Sequence, residues 1–272
     1  MTSTPDQQPD TPAPLMYAQY LQLDRVLGAQ QPRSDGPEHD ELLFIIIHQV
    51  YELWFKEVLH ELDYLRQRLG DDDLPSAMST LKRILTILKV LVSQIDVLET
   101  ITPIDFLTFR DRLESGSGFQ SLQFREFEFS LGAKRRNVVD HFPEGSPGRE
   151  TLERRYREET LWDAFVHYLS RAGHAVPDAL LTRDVTQPIE PSPEFQSVLI
   201  DIYHNHPTTM HLCERLVDLD EGVQEWRYRH VKMVQRTIGT KRGTGGSSGA
   251  EYLKSTLFRD AFPDLWAIRS EL

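Results

Sequence analysis

Cysteine is all but missing from this 272-residue chain. Cys213 stands alone, which excludes an internal disulfide and any cysteine-based metal cluster. Positive charge is also in deficit. Against 42 Asp and Glu there are 30 Lys and Arg, a formal charge of −12, so neither nucleic acid nor an anionic membrane finds a basic stripe to bind. The longest apolar run, Leu42 to Ile47, is far too short to cross a bilayer. The opening MTSTPDQQPDTPAP carries neither the basic nor the apolar region of a secretory signal. These absences lead us to expect a protein of the reducing cytoplasm, without a membrane or nucleic-acid partner. Residues 1–14, rich in Pro, Thr, Gln and Asp, are expected to form a disordered tail. With no internal repeat and no break in composition, 15–272 is expected to be one domain.

Common catalytic signatures are missing too. Lys241 precedes the glycines of KRGTGGSSG and follows a helical pattern, so the stretch is no P-loop, and Ser248 stands where a Rossmann turn needs its third glycine. There is no His-Glu-x-x-His and no Gly-x-Ser-x-Gly. Glu57-x-x-His60 is half of a di-iron carboxylate signature whose second half is lacking. His204, His206 and His211 cluster around Pro207, where capping or packing accounts for them.

What is present is helical periodicity. One helix is expected from Leu15 to Gln30, with Tyr17, Tyr20, Leu21 and Leu27 on one face. Pro37 suits the first position of a long helix over His39–Leu69, ended by Gly70 and apolar around most of its circumference between Leu42 and Phe55. A further long helix is read over Ser76–Thr100, opened by Pro75, and a short one over Pro103–Leu113 with Phe106 and Arg110 on one face. FQSLQFREFEFSLG fits helix better than strand. A charged helix is expected from Arg149 to Arg171, an irregular stretch over Pro177–Pro193, and helices again from Glu194 through His230. The fold class is all-α, a bundle of long helices.

The chemistry-bearing stretch is EWRYRHVKMVQRTIGTKRGTGGSSG, Glu225 to Gly249. At 100° per residue Val223, Trp226, Met233, Val234 and Thr237 lie within about 60° of His230. An imidazole thus sits in the middle of an apolar stripe, and after Ile238 a Gly-rich loop follows that can approach a ligand closely. Such a His is ordinarily a hydrogen-bonded core residue. His48, on the long apolar helix with Phe44 one turn before it, makes a second. With cysteine and multi-carboxylate metal sites eliminated, one axial His facing an apolar cavity is the arrangement that holds a haem. An Arg directed into that cavity would seek a carboxylate on the ligand.

HDELLFIIIHQVYELWFKEVLHELD, FRDRLESGSGFQSLQFR, WRYRHVKMVQRTIGTKRGTGGSSG and the N-terminal YAQYLQLDRVLGAQ closely resemble the tryptophan 2,3-dioxygenase family, in order from about Tyr17 to Leu257. The resemblance implies an all-α fold enclosing haem b, active as the ferrous form, with O2 as co-substrate. It implies His230 as the proximal haem ligand and His48 as the distal residue that hydrogen-bonds the indole N–H. Arg110 would grip the substrate carboxylate and Thr244 the amino-acid head group. Phe44 and Phe106 would be pocket walls, and Ser117 and Gly118 the backbone on the distal side of the haem. Tyr17 and Tyr20 would reach a neighbouring subunit's pocket in a homotetramer. Some relatives carry Tyr in place of Phe106 and an aromatic in place of Ile95. The implied reaction is cleavage of the indole C2–C3 bond of L-tryptophan by O2 to N-formylkynurenine. The alternatives are a monooxygenase of the same fold that forms a 2-oxindole from a substituted tryptophan or indole, and a haem sensor without turnover.

Overall fold

The computed structural model describes residues 15–36, 38–114, 116–244 and 249–272. The expected tail at 1–14, the place of Pro37 and the loop glycines Gly245 and Gly246 lie outside them. All regular secondary structure among the described residues is helical.

The single helix expected at Leu15–Gln30 is two short ones, α1 (Tyr17–Tyr20) and α2 (Leu23–Leu27). Gln22 between them has φ 54, a left-handed conformation through which a helix cannot continue. The long helix α3 runs His39–Gly70. Gly70 is its last residue, and the reversal falls to Asp72 at φ 59, Asp being one of the few side chains that tolerate that region. The Asp73 carboxylate accepts from the Ser76 backbone N–H at 3.2 Å and starts α4 (Leu74–Leu98), with Pro75 in its first turn. A connection this short makes α3 and α4 an antiparallel pair.

Thr102 caps α5 (Pro103–Arg110), accepting from the Asp105 N–H at 3.2 Å, and a 3₁₀ turn at Asp111–Leu113 follows. FQSLQFREFEFSLG is helical, as expected, in α6 (Leu122–Ser130). Ser121 caps it, which leaves Phe119 in a separate 3₁₀ turn, Gly118–Gln120. A short α7 (Arg136–Asp140) comes next. The one helix expected over Arg149–Arg171 is two, α8 (Pro147–Arg157) and α9 (Leu161–Arg171). The break is a capping box: the Asp163 carboxylate accepts from the Thr160 N–H at 2.7 Å while the Thr160 hydroxyl oxygen accepts from the Asp163 N–H at 3.3 Å. One turn, α10 (Asp178–Leu181), interrupts the irregular stretch before α11 (Pro193–Asn205). Pro207 then opens α12 (Pro207–Ile238), which stops at Gly239 with φ 60. Two short helices close the chain, α13 (Ala250–Lys254) and α14 (Pro263–Ala267).

α4 lies between α3 and α12 and packs along both, and α5 touches both as well. One apolar cluster reaches from Ile47 to Ile268. The helix α3 is less enclosed than its sequence suggests. Ile47, Tyr51, Phe55 and Val58 face the core, whereas Leu42, Ile46 and Leu53 form an apolar stripe open to solvent. The helices α1 and α2 contact each other, the segment after α2 is tied to α3 by hydrogen bonds of Gln49 with Gln30 at 2.6 Å and Ala29 at 3.1 Å, and Tyr17 and Tyr20 are 75% and 71% exposed.

Candidate active site

A cavity of about 640 Å³ lies among α3, α4 and α12. It is roofed by α5 and the loop before α13 and backed by Ile95 and Leu98 of α4. Phe44, His48, Phe106, Arg110, Ser117, Gly118, His230 and Thr244 all line it. Tyr17 and Tyr20 do not, and stand exposed on α1. A second hollow of about 490 Å³, between Arg66, Glu158, His167 and Arg171, lies elsewhere. Arg66 and Arg171 already pair there with Asp63, Glu158 and Asp72.

His48 and His230 enter the cavity from α3 and α12. The His48 Nδ1 lies 2.7 Å from the Phe44 carbonyl oxygen one turn back. A carbonyl only accepts, so Nδ1 carries the proton and Nε2 offers its lone pair to the cavity. Enclosure by protein lowers the His48 pKa, partly offset by that hydrogen bond and by Glu52, so the ring is neutral at pH 7. Its exposed surface is surface on the cavity. Phe44 packs against it with ring centroids 4.1 Å apart, and in turn against Phe106 and Phe109 at 5.7 and 5.5 Å. His230 is pushed down to about 4, by burial first and then by His48, Arg227 and Arg125. It too is an uncharged donor.

Arg110, at the C-terminal end of α5, donates to the Arg242 carbonyl at 2.7 Å. Among the described residues no carboxylate pairs with it. In a chain with 42 acidic residues, a cavity-lining guanidinium whose one internal partner is a neutral carbonyl has capacity left for an anionic ligand. The Thr244 hydroxyl donates to the Gly116 carbonyl and fastens the Gly-rich loop to the segment after α5. Gly249, at φ 61, lies so close to the Lys241 carbonyl that a Cβ would stand 2.8 Å from it.

The cavity also holds a charge cluster that the sequence reading did not find. Glu128 of α6, nearly inaccessible, accepts from Arg125 at 2.6 Å, Arg135 at 2.7 Å and Arg227 at 2.8 Å. Burial acts to raise the Glu128 pKa, but the three guanidinium groups outweigh it and hold the carboxylate ionised. Three positive charges against one negative leave the cluster a net +2, and its members Arg125, Arg227 and Glu128 line the cavity while Arg135 stands behind them. The Arg125/Glu128 spacing was a possible signal on α6. Arg227 is 99 residues from its partner, and no local pattern announces it.

In this all-α chain two uncharged imidazoles, a guanidinium without a carboxylate partner among the described residues and a cationic cluster border one largely aromatic cavity. The family model for tryptophan 2,3-dioxygenase matches residues 4–173 and 194–272. The chain is 60% identical over 258 residues to a tryptophan 2,3-dioxygenase of Herpetosiphon aurantiacus, covering 95% of this chain and 98% of that one. It is 54% identical over 260 residues to that of Anaeromyxobacter sp. strain K (96% and 97%) and 43% identical over 261 residues to that of Caulobacter vibrioides (95% and 98%). The chain belongs to the tryptophan 2,3-dioxygenase family.

Proposed function

We propose that this protein is a haem-dependent oxygenase that uses O2 to cleave the indole C2–C3 bond of L-tryptophan, yielding N-formylkynurenine. The relatives named for that activity span nearly the whole chain. The observation that carries the substrate assignment is Arg110, a cation on the cavity wall with no carboxylate of its own among the described residues. The cavity residues fit haem b: aromatic and aliphatic walls for a flat macrocycle, a neutral imidazole on His230 for the iron, and the guanidinium groups of Arg125 and Arg227 for its carboxylates. When bound, the haem supplies the redox chemistry with O2.

The chain's own residues do the positioning. Arg110 pairs with the substrate carboxylate, and Thr244 contributes to the head-group site from the loop. His48 accepts the indole N–H at Nε2, the nitrogen left free because Nδ1 is committed to the Phe44 carbonyl. The contact is an orienting one, because indole N–H is a very weak acid. Phe44 and Phe106 flank the ring, and Ser117 and Gly118 supply backbone on the same side. Holding both ends of the amino acid converts encounter into alignment, the usual source of rate for an enzyme of this kind. Phe106 has no hydroxyl, so the carboxylate clamp depends on Arg110 more than in relatives with Tyr there.

The assembly is a homotetramer in which Tyr17 and Tyr20 complete a neighbour's pocket. Supporting it, Tyr17 and Tyr20 of α1 and Leu27 of α2 stand exposed, and Leu42, Ile46 and Leu53 leave a stripe of α3 uncovered. Among the described residues no helix is long and apolar enough to cross a membrane, and the working compartment is the cytoplasm. The chain 15–272 acts as one domain, with one apolar cluster reaching from Ile47 to Ile268.

The test is the product formed by haem-loaded ferrous protein from L-tryptophan and isotopically labelled O2. Two labelled oxygen atoms in a ring-opened product are expected. One labelled atom in an intact 2-oxindole would replace this reading with a monooxygenase.

A further inference from the structure

On α12, Trp226 stands one turn before His230, and the two rings are stacked with centroids 5.3 Å apart and planes 6° from parallel. Stacking of this regularity needs a cause, because the torsion that spins an imidazole about its Cβ–Cγ bond is soft. The usual cause is a hydrogen bond from the second ring nitrogen to a carboxylate or carbonyl. Among the described residues no protein group makes such a bond to His230.

The indole itself is held from several directions. Phe124 lies 5.0 Å from it, centroid to centroid, while Phe55 and Tyr51 meet it edge-on at 6.0 and 6.4 Å. Tyr51 is pinned in turn, its hydroxyl donating to the Leu91 carbonyl of α4 at 2.8 Å. The Trp226 N–H is buried beside that hydroxyl without completing a hydrogen bond to it. What fixes the indole is therefore packing on three aromatic rings from two other helices, α3 and α6, and the α12 backbone. A flat face so fixed leaves the adjacent imidazole one favourable plane.

We propose that Trp226 is a positioning residue that sets the plane of the His230 imidazole, and through it the orientation of the axial ligand presented to the haem iron. The inference rests on the reading of His230 as that ligand. The plane of an axial imidazole decides which iron d orbitals it overlaps and how closely its edge approaches the macrocycle nitrogens. A defined plane gives one iron–imidazole bond strength; a free one gives a distribution. Trp226 achieves with a π-face what a hydrogen-bonded carboxylate does elsewhere, and it adds no negative charge to the imidazole.

The experiment compares the haem-loaded wild type with W226L and W226F by three readouts: the iron–histidine stretching band of the ferrous protein, the g-values of the ferric protein, and the rate of haem loss to a scavenger. W226L, which removes the flat face, should broaden or split the band, spread the g-values and raise haem loss by about 10–100-fold, the usual size for loss of a group that orients a metal ligand. W226F, which keeps an aromatic face in the same box, should retain one band and one set of g-values. A W226L protein with the wild-type band, g-values and haem-loss rate would overturn the proposal. So would a folded, loaded W226F that behaves like W226L, since volume rather than the face would then be responsible. A wild type that binds haem with no iron–histidine band would remove His230 as the ligand, and the proposal with it.

Discussion

Replacing Glu128 by Gln keeps the shape of the side chain and deletes its charge. The wild-type cluster sums to +2, three guanidinium groups against one carboxylate, and the variant sums to +3. Three short charge-assisted hydrogen bonds, at 2.6, 2.7 and 2.8 Å, lose their ionic acceptor together. Removing one partner from a buried ion pair costs about 3–5 kcal/mol. Arg135 is a quarter exposed and the cavity admits water, so the lower end, about 3 kcal/mol, applies. With a urea slope of about 3 kcal/mol/M, the midpoint of the haem-free protein should fall by about 1 M.

The pH dependence has a definite sign. Glu128 in the folded protein titrates below its ordinary value of 4.5, so its contribution is fully present above that pH and is lost as pH falls through the folded pKa. The gap between wild type and variant should be level near neutrality and close in acid. Adding haem should also narrow it, because the cofactor's two carboxylates meet the uncompensated charge. A midpoint within about 0.2 M of wild type, the size of an ordinary surface substitution, would show that water rather than Glu128 carries the cluster and would refute this reasoning.

Arg110→Ala should weaken tryptophan binding by about 2–5 kcal/mol, at least about 30-fold in KM, while the haem absorbance of the loaded protein stays as in wild type; an unchanged KM would remove Arg110 from the carboxylate site. Burial lowers the Lys134 pKa to about 8 from 10.5. Above pH 8 the unfolded chain therefore holds a proton that the folded one has released, and stability rises with pH. Lys134→Met should lose that rise, so urea midpoints of the two proteins from pH 8 to 9 should converge, and parallel curves would contradict the assignment. The Cys213 thiol, fully buried and pushed up to about 12 chiefly by burial, should resist aromatic disulfide reagents until the protein unfolds; fast labelling of the native protein would place it in an open region.

The sequence made the helical class and the longest elements readable, because the information there is local. Asp73, Thr102 and Ser121 each offer an oxygen to the N–H three residues on, and Gly239 can turn left-handed where α12 must end. Where reading by periodicity failed, a short-range contact had cut the pattern. Gln22 breaks the first helix by its backbone angle, and Thr160 with Asp163 splits another although the apolar spacing runs through. The largely apolar circumference of α3 promised enclosure on nearly all sides, but Leu42, Ile46 and Leu53 meet solvent in this chain. Apolarity states what a face could bury and not which molecule buries it.

His230 on its stripe and Phe106 beside Arg110 are consequences of a 3.6-residue repeat, so they followed from the sequence alone. That His48 of α3 and His230 of α12 line one cavity depends on how three long helices pack. So does the meeting of Arg227 with Glu128 across 99 residues of chain, and of Trp226 with a box of rings from α3 and α6. Backbone torsions and helical faces are set by neighbours in the chain. Which faces meet is set by the volume and charge of side chains that neighbour one another only after folding, and that is why the reactive geometry belongs to the tertiary structure.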